Sequence, residues 1–308
     1  MVSIGPYYYH LRNEKLKMAE DCKRKCFGSL LAKNMDKDKQ IDIYKRCLQR
    51  IGQLEEDIRK CYSEEFEVTG IVFLEMMVVD ACFILEIIEM FASTKTEVDY
   101  SESDLGALAW MIPFFVLQEI YALTHDISVE GSRSHDLIIT ALRFFKNGMK
   151  KSGFAIIFGF LNNFLDLNKG AVLHLLDWIR ISLMPSNILD QAPFSVDAPF
   201  IHCISKLRLA GIKVSPVMAF SFLQVKFKRG VIEMPSIAID DFMRCLLLNC
   251  VAFEQCHQRS KKYFSVYATF LDCLVNTKED VEYLRERNVI DNYLTDDSEL
   301  AQLGRNKR

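Results

Sequence analysis

The feature that most constrains this fold is the run Ile71–Phe91, which is apolar at nearly every position. At about 100° per residue, Glu75, Glu86 and Glu89 fall in one narrow sector of a helix, and Asp80 points well away from them. A helix that is apolar nearly all round belongs in the centre of a fold. We therefore predict a central helix with Asp80 as a carboxylate near the core, which needs a cation or several hydrogen-bond donors.

Helical patterns cover most of the remaining chain. Between Asp42 and Tyr62, apolar residues recur at steps of three and four, which predicts a surface helix with one buried face. Further helices are predicted at Leu16–Leu31, Leu108–Leu123, His135–Phe145, Phe154–Leu165, Ala171–Leu183, Ile201–Ala210, Asp240–Phe253 and Phe264–Asn276. Leu16–Leu31 is basic, and we place its charges on the outer side.

The segment Phe220–Ile239 has a different pattern, because its apolar residues alternate in steps of two up to Arg229-Gly230. This predicts a β-hairpin with Gly230 in the left-handed conformation and a second strand that ends at Pro235. The predicted fold is thus mainly α: a single helical globule, residues 1–308, with a small antiparallel β-hairpin in its C-terminal third. Residues 187–199 are predicted to form an exposed connection.

Composition and charge bound the environment. Half of the residues are apolar, as in chains that fold. The start of the sequence has no secretory pattern, so we interpret the ten cysteines as free thiols on the reducing, cytosolic side. No run has the roughly 20 mostly apolar residues of a membrane span without interrupting charge or proline.

The net charge of −3 does not favour nucleic acid as a partner. Residues 12–50 nevertheless hold 12 lysines and arginines against 6 aspartates and glutamates. A solvated helix face accounts for this excess. A docking face for acidic lipid or an acidic protein is the alternative.

No catalytic, cofactor or metal residue is predicted. The cysteines lack zinc spacing, the glycines form no phosphate-binding loop, and adjacent Cys256 and His257 diverge on a helix. Asp80 and Glu254 are the candidate buried polar residues. We favour a place for each in a buried ion pair over acid–base catalysis.

An unusual aromatic cluster opens the chain. Tyr7, Tyr8, Tyr9 and His10 are the candidate interaction surface, since aromatic clusters suit binding sites. The alternative is that these rings pack the amino-terminal arm onto the core.

Seven strings, in this order and spacing, carry a resemblance to a known family. They lie at residues 2–7, 75–83, 113–117, 207–213, 227–231, 252–257 and 272–277. Among them, Val2-Ser3-Ile4-Gly5-Pro6-Tyr7 opens the chain and Ala252-Phe253-Glu254-Gln255-Cys256-His257 includes the candidate glutamate. The chain closely resembles, over nearly its whole length, the plant domain-of-unknown-function family 247.

The resemblance implies a plant-specific protein whose family usually carries one transmembrane helix near the C-terminus. Some grass members are pollen-side determinants of self-incompatibility, which implies recognition and supplies no catalytic residues. This chain departs from the pattern at both ends and lacks that helix, as a short paralogue or an incomplete gene model would. We therefore expect a non-enzymatic recognition or signalling module with an unknown protein partner. The alternatives are an enzyme of unassigned type and a structural or decayed paralogue.

Overall fold

The computed structural model describes residues 3–7, 9, 16–32, 36–62, 65–93, 112–127, 130–149, 174–184, 201–219, 221–257 and 260–294. These fall into two compact units. Unit 1 draws on Met1–Asn147 and Asn168–Trp178, and unit 2 draws on Gly148–Leu167 and Ile179–Arg308. The prediction of one domain over residues 1–308 stays a prediction.

Unit 1 is helical in its described part. Its helices are α1 (Lys17–Ala32), α2 (Lys37–Gln53), α3 (Glu55–Lys60), α4 (Gly70–Ser93), α5 (Phe114–Thr124), α6 (Glu130–Gly148) and the first residues of α7 (Leu175–Leu183). Helix α4 is the predicted central helix: α1, α2 and α5 all pack against it. Phe73, Met77 and Leu85 of α4 are fully buried in this core.

The predicted helix over Asp42–Tyr62 is two helices in the structure. Helix α2 ends at Gln53, where the Leu54 N–H bonds the carbonyl of Ile51, and α3 begins at Glu55. The break leaves Ile43, Cys47, Ile51 and Ile58 buried on one side. Periodicity therefore predicted the buried face correctly and missed the interruption.

Unit 2 combines helices with short strands. The helices are the rest of α7, α8 (Ile204–Leu209), α9 (Asp241–Cys256), α10 (Tyr263–Leu274) and α11 (Lys278–Glu286). The strands are β1 (Lys213–Pro216), β2 (Lys226–Lys228), β3 (Val231–Met234), β4 (Ile237–Ile239) and β5 (Ile290–Asn292). The prediction of a mainly α fold is confirmed.

The single hairpin of the prediction is incomplete, because the strands form two sheets. Strands β2 and β3 make the predicted antiparallel hairpin, and Gly230 in its turn has φ 78°. Strand β1 pairs parallel to β3 on the other side, giving the order β1-β3-β2, and β4 pairs parallel to β5. Parallel partners come from distant segments, so local alternation could not predict them.

Several predictions fall outside the described residues. These are the helix at 154–165, the connection at 187–199 and the residues that precede Ile112 in the predicted helix Leu108–Leu123. Pro113 stands just before α5, at the N-cap. Among the helices that the structure describes, none combines the length and the apolar character that crossing a membrane requires.

Candidate functional site: a docked amino-terminal arm

Residues 3–7, here called the arm, are held by a buried carboxylate of the central helix. The Gly5 N–H donates to Asp80 Oδ2 over 2.8 Å, in a contact that is buried. Gly5 has φ 72°, a left-handed conformation that glycine adopts without a steric penalty. Asp80 is 0% exposed, so this bond replaces part of the hydration that the carboxylate has lost.

Lys23 of α1 is the cation beside Asp80. Its Nζ lies 2.8 Å from Asp80 Oδ1 and 2.7 Å from Glu20 Oε1, and it also donates to the Ser3 carbonyl. Both Lys23 and Asp80 are fully buried, whereas Glu20 is partly exposed. The pair therefore fixes the arm twice, through the Gly5 amide and through the Ser3 carbonyl.

Sequence reasoning had located Asp80 near the core but did not find its partner. Lys23 belongs to the helix whose charges were expected to face outward, and that expectation is wrong for this residue. The two residues are 57 positions apart, so neither charge pattern nor helix periodicity links them. The only pointer to such a partner in the sequence was that a carboxylate near the core, as predicted for Asp80, needs a cation or several donors.

An aromatic row leads from the arm into the core of unit 1. Tyr7, 40% exposed, meets the Tyr62 ring edge-on at 5.6 Å between centroids. Tyr62 meets Phe66 at 5.6 Å, and Phe66 stacks on buried Phe73 at 5.6 Å. The Arg59 guanidinium lies over both phenylalanines, 5.0 Å from the Phe66 centroid and 4.1 Å from that of Phe73.

Burial sets the protonation state of the tyrosine in the middle of this row. Burial, then the negative charge of Asp80, raises the pKa of Tyr62 far above its ordinary value. The Tyr62 phenol therefore stays neutral. Arg59 keeps partners of its own, since it bonds Glu55 Oε1 and the Val68 carbonyl. The aromatic row thus has the Arg59 guanidinium packed on its two phenylalanines and the half-exposed Tyr7 at its other end.

The four residues of the predicted interaction surface have different placements. Tyr7 lies at the end of the aromatic row, and Tyr9 is half-buried, with its N–H bonded to the Pro6 carbonyl. Tyr8 and His10 lie outside the described residues. Tyr7 packs the arm against Tyr62 and still presents ring surface to solvent, and its part in an interaction surface stays a prediction.

Glu254, the second candidate, lies in unit 2 and caps a helix. Its Oε1 accepts the Phe264 N–H over 3.1 Å, and its Oε2 accepts both the N–H and the hydroxyl of Ser265 over 2.8 Å. These are donors at the start of α10, which the carboxylate satisfies from α9. Arg180 Nη1 stands 3.7 Å from Oε1. Burial raises the pKa of Glu254, while these hydrogen bonds and Arg180 oppose the rise.

Asp280 is a third buried carboxylate that binds backbone amides. Besides completing a capping box with Thr277 at the start of α11, it accepts the N–H of Ser205 and of Asn276, each over 3.0 Å. Burial alone would raise the pKa of Asp280, yet the donors of Ser205, Asn276 and Thr277 outweigh it and lower the pKa. Asp280 thereby ties α8 to the start of α11 inside unit 2.

Asp80, Glu254 and Asp280 are thus each bound to backbone amides, and Glu254 and Asp280 also accept the hydroxyl of a serine, Ser265 and Ser205 respectively. Over the described ranges, no three histidine, cysteine, aspartate or glutamate side chains are grouped so that they could hold a metal ion. The ten cysteines are all described, and all are free thiols. Burial raises the pKa of Cys47 to about 12, so its thiol is unreactive.

Comparison with known proteins finds relatives that align over nearly the whole chain. The model of a plant protein family of unknown function, DUF247, matches residues 1–306. The UPF0481 protein At3g47200 of Arabidopsis thaliana is 31% identical over 344 residues, covering 98% of this chain and 67% of the relative. A second Arabidopsis thaliana UPF0481 protein, At3g02645, is 22% identical over 396 residues, covering 98% and 73%. No solved structure matches the chain.

Proposed function

This chain belongs to the DUF247 family of plant proteins of unknown function, and we propose that it acts as a non-enzymatic recognition module through protein–protein contacts. The contact surface combines the exposed ring of Tyr7 with the partly exposed side chain of Arg59, which lies over Phe66 and Phe73 of the same aromatic row. Family membership confirms the resemblance of the sequence strings. The recognition role itself is the proposal.

One observation carries the proposal: a buried charge pair is used to hold a half-exposed aromatic residue at a fixed place. Burying Lys23 and Asp80 costs several kcal/mol per ion before their attraction and hydrogen bonds offset it. The arm that they bind ends in Tyr7, which is 40% exposed beside Tyr62. Preorganised tyrosine and arginine side chains are enriched where interfaces have their binding energy.

The buried carboxylates support the same role. Asp80, Glu254 and Asp280 each accept backbone N–H groups, and each connects two segments of its unit. A carboxylate occupied in this way serves the fold and is not poised for proton transfer to a substrate. We further propose the cytosolic, reducing side as the location, which the ten free thiols support.

The test is comparative capture from plant extract. We would use the wild-type chain, Tyr7→Ala and Arg59→Ala, with Tyr293→Ala as a matched control because Tyr293 is an exposed tyrosine of unit 2 (54%). The expected result is a protein that the wild type and Tyr293→Ala retain and that Tyr7→Ala and Arg59→Ala lose. The captured protein should then bind purified wild type and Tyr293→Ala more tightly than purified Tyr7→Ala and Arg59→Ala.

Thermal melting of all four proteins separates lost contacts from lost folding. A Tyr7→Ala variant that melts like the wild type and retains every bound protein would contradict the proposed surface. A turnover reaction abolished by Asp80→Asn or Glu254→Gln in folded protein would contradict the non-enzymatic role.

A further inference from the structure

The β2–β3 hairpin of unit 2 presents an unpaired strand edge. Strand β2 is at the edge of the sheet order β1-β3-β2, and no described residue pairs with its outer side. Arg229 and Gly230 both have positive φ (49° and 78°), as in the two-residue turns that close hairpins. Lys228 and Val231 flank this turn and form the hydrogen-bonded pair, so the next pair, Phe227 with Ile232, is the non-bonded one.

The consequence is that the N–H and C=O of Phe227 point away from β3, toward the open edge. These are the two groups that an added strand would bind. The register also places the Phe227 side chain on the same face as Val214 and Ile232, which are buried. Phe227 itself is 62% exposed, and among the described residues no strand lies beyond β2 to cover its ring.

The opposite face of β2 has two lysines. Lys226 and Lys228 are exposed there, and neither forms an ion pair with a carboxylate of the described residues. Glu233 of β3 lies across from Lys226 on the same face, on the side away from the open edge of β2. Residues 198–232 contain no aspartate or glutamate. Their basic residues are Lys206, Arg208, Lys213, Lys226, Lys228 and Arg229.

We propose that the outer edge of β2 binds an extended acidic segment of a partner protein, which adds as a fourth strand. Alternation of side chains in a strand specifies the ligand. A residue opposite Phe227 is apolar and covers the exposed ring. Its two neighbours point to the other face, where carboxylates meet Lys226 and Lys228. The recognised sequence is therefore acidic–apolar–acidic.

The charges also decide against a second copy of this chain at the edge. Two β2 strands side by side would bring lysines of one copy near lysines of the other, and like charges across a strand pair are destabilising. Lysines on a short edge strand prevent such pairing in many sheets. Here Lys226 and Lys228 repel the β2 strand of a second copy and attract a strand that carries carboxylates. This inference concerns unit 2 alone and does not depend on the function proposed for the arm.

The test uses the capped, fluorescein-labelled peptide Thr-Glu-Val-Glu-Thr and the full chain, with fluorescence anisotropy at low ionic strength. Phe227→Ala should weaken binding by up to about fivefold, the range of one cross-strand pair. The double variant Lys226→Glu/Lys228→Glu should weaken it by at least about tenfold, because two attractions become repulsions. That double variant should instead prefer the peptide Thr-Lys-Val-Lys-Thr.

Three controls identify the mode of binding. Lys37→Glu/Lys39→Glu makes the same charge change at two exposed lysines of unit 1 and should leave peptide affinity unchanged. A peptide N-methylated at its valine lacks the N–H that an antiparallel fourth strand donates to the Phe227 carbonyl, so it should not bind. Phosphatidylserine vesicles are the other anionic probe, and we expect no Phe227-dependent binding to them.

The inference is overturned if the N-methylated peptide binds as well as the parent. It is also overturned if the charge-reversed variant fails to switch preference, or if only vesicles respond to the β2 variants. Tyr7→Ala should bind the peptide normally. The peptide experiment thus tests the strand edge alone. The surface at the arm is tested separately, by whether Tyr7→Ala loses the protein captured from plant extract.

Discussion

Asp80, Glu254 and Asp280 are satisfied in different ways although each is fully buried. Asp80 accepts from Lys23 and from the Gly5 amide, Glu254 accepts from donors at the start of a helix, and Asp280 accepts from donors of two segments. The sequence showed that Asp80 and Glu254 needed partners, because buried carboxylates always do. It could not show which partners, since these depend on which segments meet in space.

At Asp80 we predict a large loss of stability on substitution. Asp80→Leu removes the fully buried counter-charge of Lys23, which keeps the partly exposed Glu20, and it leaves the Gly5 amide without this acceptor, so the free energy of unfolding should fall by about 3–5 kcal/mol. Denaturant unfolding measures this. The double variant Lys23→Met/Asp80→Leu should lose less than Asp80→Leu alone. An unchanged midpoint for Asp80→Leu would contradict the buried pair.

At Asp280 the prediction concerns pH. Its pKa is lowered in the folded protein, so the unfolded chain binds the proton more readily, and the stabilisation is present above the ordinary pKa and lost as pH falls through the folded value. The stability difference between the wild type and Asp280→Asn should therefore be largest near neutral pH and shrink below about pH 4. Urea midpoints across this range test it. A difference independent of pH would assign the loss to packing alone.

Among the elements, helices with a strong local pattern were predictable and long-range pairings were not. Helix α4 and the hairpin turn at Gly230 both follow from nearby residues. Strand β1 includes Pro216, and β4 is buried at every position, so neither shows the alternation of a half-buried strand. Their partners β3 and β5 lie far along the chain.

The hairpin turn allows an element-scale prediction. Gly230 has φ 78°, and a Cβ there would meet no atom within 4 Å, so Gly230→Ala should be destabilising through backbone strain alone, by about 1–2 kcal/mol. Arg229, with φ 49°, is also left-handed. Arg229→Asn should raise stability by a few tenths of a kcal/mol, because asparagine tolerates this conformation better. Opposite signs in paired melting curves are expected; equal effects would contradict the turn assignment.

For the whole molecule, the sequence predicted a mainly α protein of a plant family, and both are confirmed. The sequence did not predict which residues come together at the candidate site. Tyr7 was a candidate from the first residues, but Tyr62, Phe66 and Arg59 join it only because the arm folds back onto unit 1. Lys23 and Asp80 make that return possible, so the surface that we propose for recognition depends on a charge pair hidden beneath it.

The measurement that tests this dependence most directly is hydrogen exchange at the Gly5 amide, followed by NMR in the full chain. That amide is buried and bonded to Asp80, so we predict protection close to that of core amides in α4. In the Asp80→Leu variant, under conditions where the core amides remain protected, Gly5 should exchange far faster. A Gly5 amide that exchanges in the wild type at the rate of an unstructured chain would show that the arm is not docked, and the account would be wrong.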